Sequence, residues 1–183
     1  MTDFARLMSD YFVKYLAGQK GSGSNTMKTY RDTFVQLLEF MDEKKHIRAD
    51  CIEVDSFSYD IINEFLEYLE KEKRVSISTR NNRLAAIRSF FKYTGYHEPK
   101  YLNISTSIRE ISKKKTEGRQ MNYLSVNAME HFLNSFDKTD HKELRCFCIV
   151  LLLYESGARV TELCNVRRYD LHLEKPYTMI LHG

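Results

Sequence analysis

LLLYESGARVTELCNVRRYDL, running from Leu151 to Leu171, holds two helices and the turn between them. The apolar run from Phe147 to Tyr154 predicts a buried helix. Ser156-Gly157 breaks it, and the periodic Val160, Leu163 and Val166 predict a second helix with Arg159 on its first turn. An arginine held there suits an oxyanion. It stays charged at any working pH, and its planar fork can hold two phosphate oxygens at once. The backbone N–H groups of the same helix start add to the attraction. A surface ion pair between Arg159 and Glu155 or Glu162 accounts for the same residues without any ligand.

Upstream, apolar periodicity predicts four further helices. In the first, Phe4, Leu7, Met8, Tyr11, Phe12, Tyr15 and Leu16 recur at spacings of three and four over about three turns. Gly18 and the run Gly21-Ser22-Gly23-Ser24 end it as a loop. Ser24 or Asn25 can cap the second helix, whose stripe is Met27, Tyr30, Phe34, Leu37, Leu38 and Met41. His46 to Ser58 is irregular, with Asp55 or Ser58 as the cap of a third helix that turns Ile61, Ile62, Phe65, Leu66 and Leu69 inward. The fourth runs from Ser78 to about Tyr96. One side carries Leu84, Ile87, Phe90, Phe91 and Thr94; the opposite side carries Ser78, Asn82, Ala85, Ser89, Lys92 and Tyr96. Arg83 and Arg88 border the seam. Small residues on the outer side allow close approach, and Asn, Ser and Arg can bond base edges or phosphates in a major groove. An ordinary solvated face is the other reading of the same pattern.

Pro99 ends this bundle. From His97 to Asn122 periodicity is weak and charge is dense, with Lys113-Lys114-Lys115 and then Arg119, which reads as a basic linker. The expected organisation is therefore a helical domain over 1–98, a linker over 99–122 and the start of a second domain over 123–183. In that second domain Ser125 caps a helix with Val126, Met129, Phe132, Leu133 and Phe136 inward and His131 outward and solvated. The stretch 177–181 reads as an edge strand lacking its neighbours.

Charge is distributed unevenly. Lys71 to Arg119 contains 13 Lys or Arg against 4 Asp or Glu, whereas the remainder contains 15 against 21. A basic middle between acidic ends is a footprint for a polyanion, and it argues against a helical interaction module with no nucleic-acid role. At 43% hydrophobic and 29% charged, the 183 residues can build a core. No apolar run is long enough to span a bilayer and no signal-peptide pattern opens the chain, so a cytoplasmic location is expected. Cys51, Cys146, Cys148 and Cys164 lack the spacing of a zinc or redox site and read as reduced, mostly core thiols. Neither a metal nor a cofactor is expected.

The stretch around Arg159 resembles the first arginine box of the tyrosine recombinase (phage integrase) family: an apolar helix, a T/S-G-x-R turn, then E-L and an L-R-x-x-D tail. Here these are Leu151, Leu152, Tyr154, Ser156-Gly157, Arg159, Glu162-Leu163, Val166-Arg167 and Asp170, with Ala158 where Leu or Met is usual and Val166 where Leu is usual. Ser76 to Phe91, which fits S-x-x-T/S-x-N-x-x-L-x-A-I-R-S-F-F, is similar to the end of the family's N-terminal core-binding domain. The resemblance implies a mainly α fold: a four-helix SAM-like bundle followed by the helical start of a catalytic domain. It also implies roles. Arg159 grips the scissile phosphate and Glu162 is the buried carboxylate that supports it. Lys28, Thr29 and Arg31 on helix two, and Arg80, Asn82, Arg83, Arg88 and Lys92 on helix four, face the major groove. Lys113, Lys114, Lys115 and Arg119 track the backbone beside the duplex. Implied partners are double-stranded DNA and further recombinase subunits, as tetramers in full-length members. Strand cleavage in the family also needs an H-x-x-R box and a following tyrosine nucleophile. No histidine here has an arginine three residues on, and none of the 12 tyrosines follows such a box. The expectation is thus a truncated, DNA-binding form of a site-specific recombinase. The alternative is a stand-alone, non-catalytic DNA-binding protein of recombinase ancestry.

Overall fold

The computed structural model describes residues 2–19, 21, 23–116, 118, 122–175 and 178–181. The chain divides into two compact units, Met1–Gly118 and Arg119–Gly183. It is mainly helical, with eight α-helices and one two-stranded ladder among the described residues.

In the first unit, α1 (Asp3–Asp10) starts where the Thr2 hydroxyl accepts the Ala5 N–H at 3.2 Å. It passes directly into π-helical bonding over Tyr11–Gln19. The wider coil suits a side that buries Tyr11 and Leu16, five residues apart. Gly18 therefore lies inside the helix, not in the loop expected there. Helix α2 (Ser24–Lys45) follows Gly23 with no side-chain cap, so neither Ser24 nor Asn25 closes its start. Helix α3 (Tyr59–Lys71) is capped by Ser58, whose hydroxyl accepts the Ile61 N–H at 3.2 Å. Helix α4 (Ile77–His97) is capped by Ser76 through the Thr79 N–H, also at 3.2 Å. Its inner side is the one the periodicity marks: Leu84, Ile87, Phe90, Phe91 and Thr94 are all buried. Phe90 is the hub, with ring centroids 5.6 Å from Phe4, 5.4 Å from Tyr11 and 5.3 Å from Phe34. Full burial of each such side chain stabilises the bundle by roughly 1.5–3 kcal/mol, with more from ring geometry.

The bundle has a fifth helix. After a 3₁₀ turn over Pro99–Tyr101, α5 (Leu102–Glu110) packs on α4 inside the stretch expected to be a linker. Ser105 and Ile108 are its buried residues, flanked by the buried Tyr101 and Ile111. Helix α5 comes in so close that the Ser105 hydroxyl donates to the Phe91 carbonyl at 2.6 Å. Beyond it the chain stays on α4. Arg80 Nη1 donates to the Ser112 carbonyl at 3.1 Å. The Asn81 amide brackets Lys114, donating to its carbonyl at 2.8 Å and accepting its N–H at 3.1 Å. The chain start is fastened to this same region. Asp3 accepts from Lys100 Nζ at 2.6 Å and from the Tyr101 hydroxyl at 2.9 Å, and Arg6 pairs with Glu98 at 2.6 Å.

In the second unit, α6 (Val126–Asn134) is capped by Ser125 as expected, with the Ala128 N–H at 3.2 Å. Helix α7 (His141–Ser156) is capped by Asp140, and α8 (Val160–Cys164) is a short third helix. None of the three buries a residue fully. Val126 and Phe132, expected inward on α6, are exposed, as are Leu144, Ile149, Leu152 and Tyr154 on α7. The cysteines expected mostly in the core are exposed too, all four of them. The edge strand is not without a neighbour. Strand β2 (Thr178–Met179) pairs antiparallel with β1 (Leu171–His172), and Ile180 N–H reaches the Asp170 carbonyl at 3.0 Å. His131 is exposed, as expected.

Candidate nucleic-acid interface

Two hollows share one side of the first unit. One, of about 300 Å³, lies between α2 and α4 and is lined by Asn25, Thr26, Thr29, Tyr30, Asn82 and Ala85. It is neutral and rich in amides and hydroxyls. The other, of about 520 Å³, is lined by Tyr15 and Tyr30, by Arg88, Ser89 and Lys92 of α4, and by Arg109 and Lys113 at and beyond the end of α5. Tyr30 and Ala85 line both, so the two adjoin.

The cationic hollow gathers cations that lack carboxylate partners. Several other cations of the unit do sit against carboxylates, as Lys44 with Glu72 at 2.8 Å, Lys71 with Glu67 at 2.7 Å and Lys14 with Asp10 at 2.7 Å, while Lys28, Arg31, Lys73, Arg74, Arg83 and Lys115 do not among the described residues. Among the described residues, no carboxylate reaches salt-bridge distance of Arg88, Lys92, Arg109 or Lys113. Arg88 is oriented by a hydrogen bond to the Arg109 carbonyl, which couples α4 to the end of α5. Lys92 lies 5.8 Å from the centre of the Tyr96 ring.

The residues singled out in the sequence fall into several groups. Lys28, Thr29 and Arg31 are exposed on α2, and the Thr29 hydroxyl donates to the Asn25 carbonyl at 2.9 Å. Asn82 and Lys92 are exposed on the outer side of α4. Arg83 donates to the Thr29 carbonyl at 3.0 Å and to Thr33 Oγ1 at 3.1 Å, tying α4 to α2 beneath the neutral hollow. Lys113 and Lys115 are exposed. Arg80 is only 5% exposed. Its Nε sits 3.3 Å from Glu70 Oε1 and its Nη1 holds Ser112, so the structure turns it into the core side of α4. Lys114 also leans on Glu70, at 2.8 Å. Arg119 lies outside the described residues. Three residues of the cationic hollow were missed in the sequence. Tyr15 and Tyr30 sit in apolar stripes, where a tyrosine reads as core, and Arg109 lies in the expected linker. The spacing of Tyr101, Ser105, Ile108 and Ile111, at i, i+4, i+7 and i+10, is the signal that finds α5 and with it Arg109.

In the second unit, Gly157 closes α7 at φ +63°, a conformation that disfavours any side chain, and Ala158 and Arg159 follow it. Arg159 precedes α8 as its cap residue instead of occupying its first turn. Glu162 reaches back to it with both oxygens, Oε2 accepting the Arg159 backbone N–H at 2.8 Å and Oε1 the guanidinium Nη1 at 2.6 Å. These two bonds, the backbone one foremost, hold the Glu162 carboxyl below its ordinary range. The ion pair left open by the sequence is thus formed, with Glu162. The Glu162 side chain is 15% exposed and that of Arg159 81%, so the carboxylate is half-buried while the guanidinium stands in solvent. A hollow nearby is lined by Cys164, Asn165, Val166, Arg167 and Tyr169, and not by Arg159. Asp170 is buried and accepts the Arg167 N–H at 2.7 Å, which gives the R-x-x-D tail a structural role. No group of three or more His, Cys, Asp or Glu able to hold a metal occurs among the described residues.

Residues 10–99, about half of the chain, match the family described as phage integrase, N-terminal SAM-like domain. By these residues the chain carries a SAM-like N-terminal domain of the phage integrase kind. Among curated relatives it is 28% identical over 177 residues to the integrase/recombinase y4rD of Sinorhizobium fredii, covering 97% of this chain and 63% of that protein. It is 26% identical over 166 residues to tyrosine recombinase XerC of Staphylococcus aureus, covering 90% of this chain and 52% of that one. The chain spans about half to three-fifths of the length of the curated relatives it matches. Among solved structures, that of XerA recombinase aligns with TM-score 0.41 and 22% identity, over 99% of this chain and 60% of the other.

Proposed function

We propose that this chain is the DNA-binding part of a site-specific recombinase, one that cleaves and rejoins strands through a tyrosine-linked phosphodiester. The observation that carries the reading is the hollow of Arg88, Lys92, Arg109 and Lys113, with no carboxylate at salt-bridge distance from any of the four among the described residues, beside a neutral groove of amides and hydroxyls. A surface with that division matches a duplex, whose phosphates are anionic and whose base edges are neutral donors and acceptors. Lys28, Thr29, Arg31, Asn82, Arg83, Arg88 and Lys92 are the contacts proposed on α2 and α4, with Lys113 and Lys115 along the backbone. No helix among the described residues is long and apolar enough to cross a membrane. The proposed setting is the cytoplasm, where DNA is reached directly, with further recombinase subunits as partners on DNA.

Cleavage itself needs groups that residues 1–183 do not supply, an H-x-x-R box and the tyrosine that follows it. In this reading Arg159 contributes charge at the scissile phosphate when those groups are present, and Glu162 holds it in place. The exposed apolar side chains of α6 and α7 are consistent with a domain whose core is completed by further polypeptide. The test is a mobility-shift titration of the 183-residue chain on duplex DNA at several salt concentrations. Binding that weakens as a power of salt is expected, with no covalent complex surviving SDS. Absence of salt-dependent binding refutes the DNA reading, and an SDS-resistant adduct refutes the non-cleaving one.

A further inference from the structure

Helix α5 and the residues after it are not a tether in this chain. They are fixed to α4 at three heights: Ser105 on the Phe91 carbonyl, Arg80 on the Ser112 carbonyl and Asn81 on both backbone groups of Lys114. That fastening delivers Arg109 and Lys113 to the same hollow as Arg88 and Lys92. Four like charges lining one hollow of about 520 Å³ repel one another, and among the described residues none of the four has a carboxylate within salt-bridge distance, whereas Arg80 and Lys114 close by both do. Glu70 makes the contrast local. It takes Lys114 at 2.8 Å and Arg80 at 3.3 Å but leaves Lys113, one residue away, uncompensated. The Arg88 guanidinium is positioned in advance by the Arg109 carbonyl, and Tyr15, Tyr30 and Ser89 add hydroxyls to the wall.

The geometry points to a built seat for one backbone phosphodiester of the DNA, formed jointly by α4 and the α5 extension, with Arg109 and Lys113 acting on the same phosphate. It deepens the DNA-binding reading above and rests on it. The adjoining groove of Asn25, Thr26, Thr29 and Asn82 faces bases, so anchoring and reading are carried by separate side chains that meet at Tyr30 and Ala85. A cation on a phosphate strengthens all sequences alike and steepens the salt dependence. An amide on a base edge changes discrimination and leaves the slope alone.

The experiment measures affinity of the 183-residue chain for a short mixed-sequence duplex across a salt series. It compares the unaltered chain with Arg109→Ala, Lys113→Ala, the double variant and Lys71→Ala, a cation already neutralised by Glu67. All five are checked by circular dichroism for unchanged helicity. Each phosphate neutralised contributes about 0.9 to the slope of log K against log salt. The double variant is expected to lose about one unit of slope, little more than either single variant, because both side chains serve one phosphate. Lys71→Ala is expected to keep the full slope. A second probe is the same duplex carrying one neutral methylphosphonate, moved stepwise along each strand. The unaltered chain loses affinity at one defined position, and the double variant is indifferent there. An unchanged slope in the double variant overturns the seat while leaving the DNA reading intact. A loss of two units, additive over the single variants, shows two independent phosphate contacts and likewise overturns it. If the unaltered chain shows no salt-dependent binding, it is the underlying DNA reading that fails.

Discussion

Arg80 is a cation held from two sides inside α4, by the Glu70 carboxylate and by the Ser112 carbonyl. Arg80→Ala removes both at once and leaves Glu70 with Lys114 alone. Loss of about 3 kcal/mol of unfolding free energy is expected in urea titration, the lower end for a broken buried pair because Glu70 keeps one partner. Arg159 is the opposite case. The guanidinium of its ion pair with Glu162 stands in solvent, so Arg159→Ala is expected to leave the urea midpoint nearly unchanged. At the other end of the chain, Lys100 and Tyr101 hold the Asp3 carboxyl below its ordinary range by hydrogen bonding to it. The unfolded chain then binds this proton more readily than the folded one. The stability Asp3 contributes is complete above its unfolded value of about 3.9 and lost as pH falls through the depressed folded value. Asp3→Asn is expected to flatten that part of the acid limb of a plot of denaturation midpoint against pH. Single residues were the least legible scale in the sequence. Whether an arginine of α4 lines an open hollow, as Arg88 does, or meets a carboxylate, as Arg80 does, depends on Glu70, ten residues before Arg80 and beside it only once α3 and α4 have packed.

At the scale of elements, periodicity located α2, α3 and α4 because each buries a stripe that repeats every three or four residues. It passed over α5 because that helix is short and rests on a serine and an isoleucine instead of a run of large apolar side chains. Its approach is set by Gly95. A Cβ there would lie 2.6 Å from Ser105 Oγ and 2.8 Å from Ser105 Cβ. Gly95→Ala is therefore expected to push α5 off α4 and to cost about 1–3 kcal/mol, despite alanine's better helix propensity. The check is the urea midpoint, together with faster hydrogen exchange at the amides of α5. Helix α1 shows a second limit of periodicity. Spacings of three and four describe its start, but the wider turn from Tyr11 onward follows from packing against Phe90 and Tyr93, which no local pattern announces.

At the scale of the molecule, the two units differ in kind. The first buries a continuous cluster from Phe4 to Ile111, and residues 1–118 alone are expected to unfold in a single cooperative transition by circular dichroism. The second has helices in place and rings in contact, Phe132 with Phe136 at 5.2 Å and Phe136 with Phe147 at 6.2 Å, yet none of its three helices buries a residue fully. Residues 119–183 alone are expected to melt broadly, without a sharp midpoint. The mainly helical fold was legible because hydrophobic stripes are local properties. The hollow that α4 shares with the α5 extension was not, since it exists only after the chain has doubled back. The wet hydrocarbon of α6 and α7 has a physiological corollary. A polypeptide displaying Leu144, Ile149, Leu152 and Tyr154 offers a foothold to chaperones, to proteases and to the environment-sensitive dye ANS. Cellular abundance would then be governed by whatever shields that flank, and the tightly knit first 118 residues would be the fragment that outlives digestion.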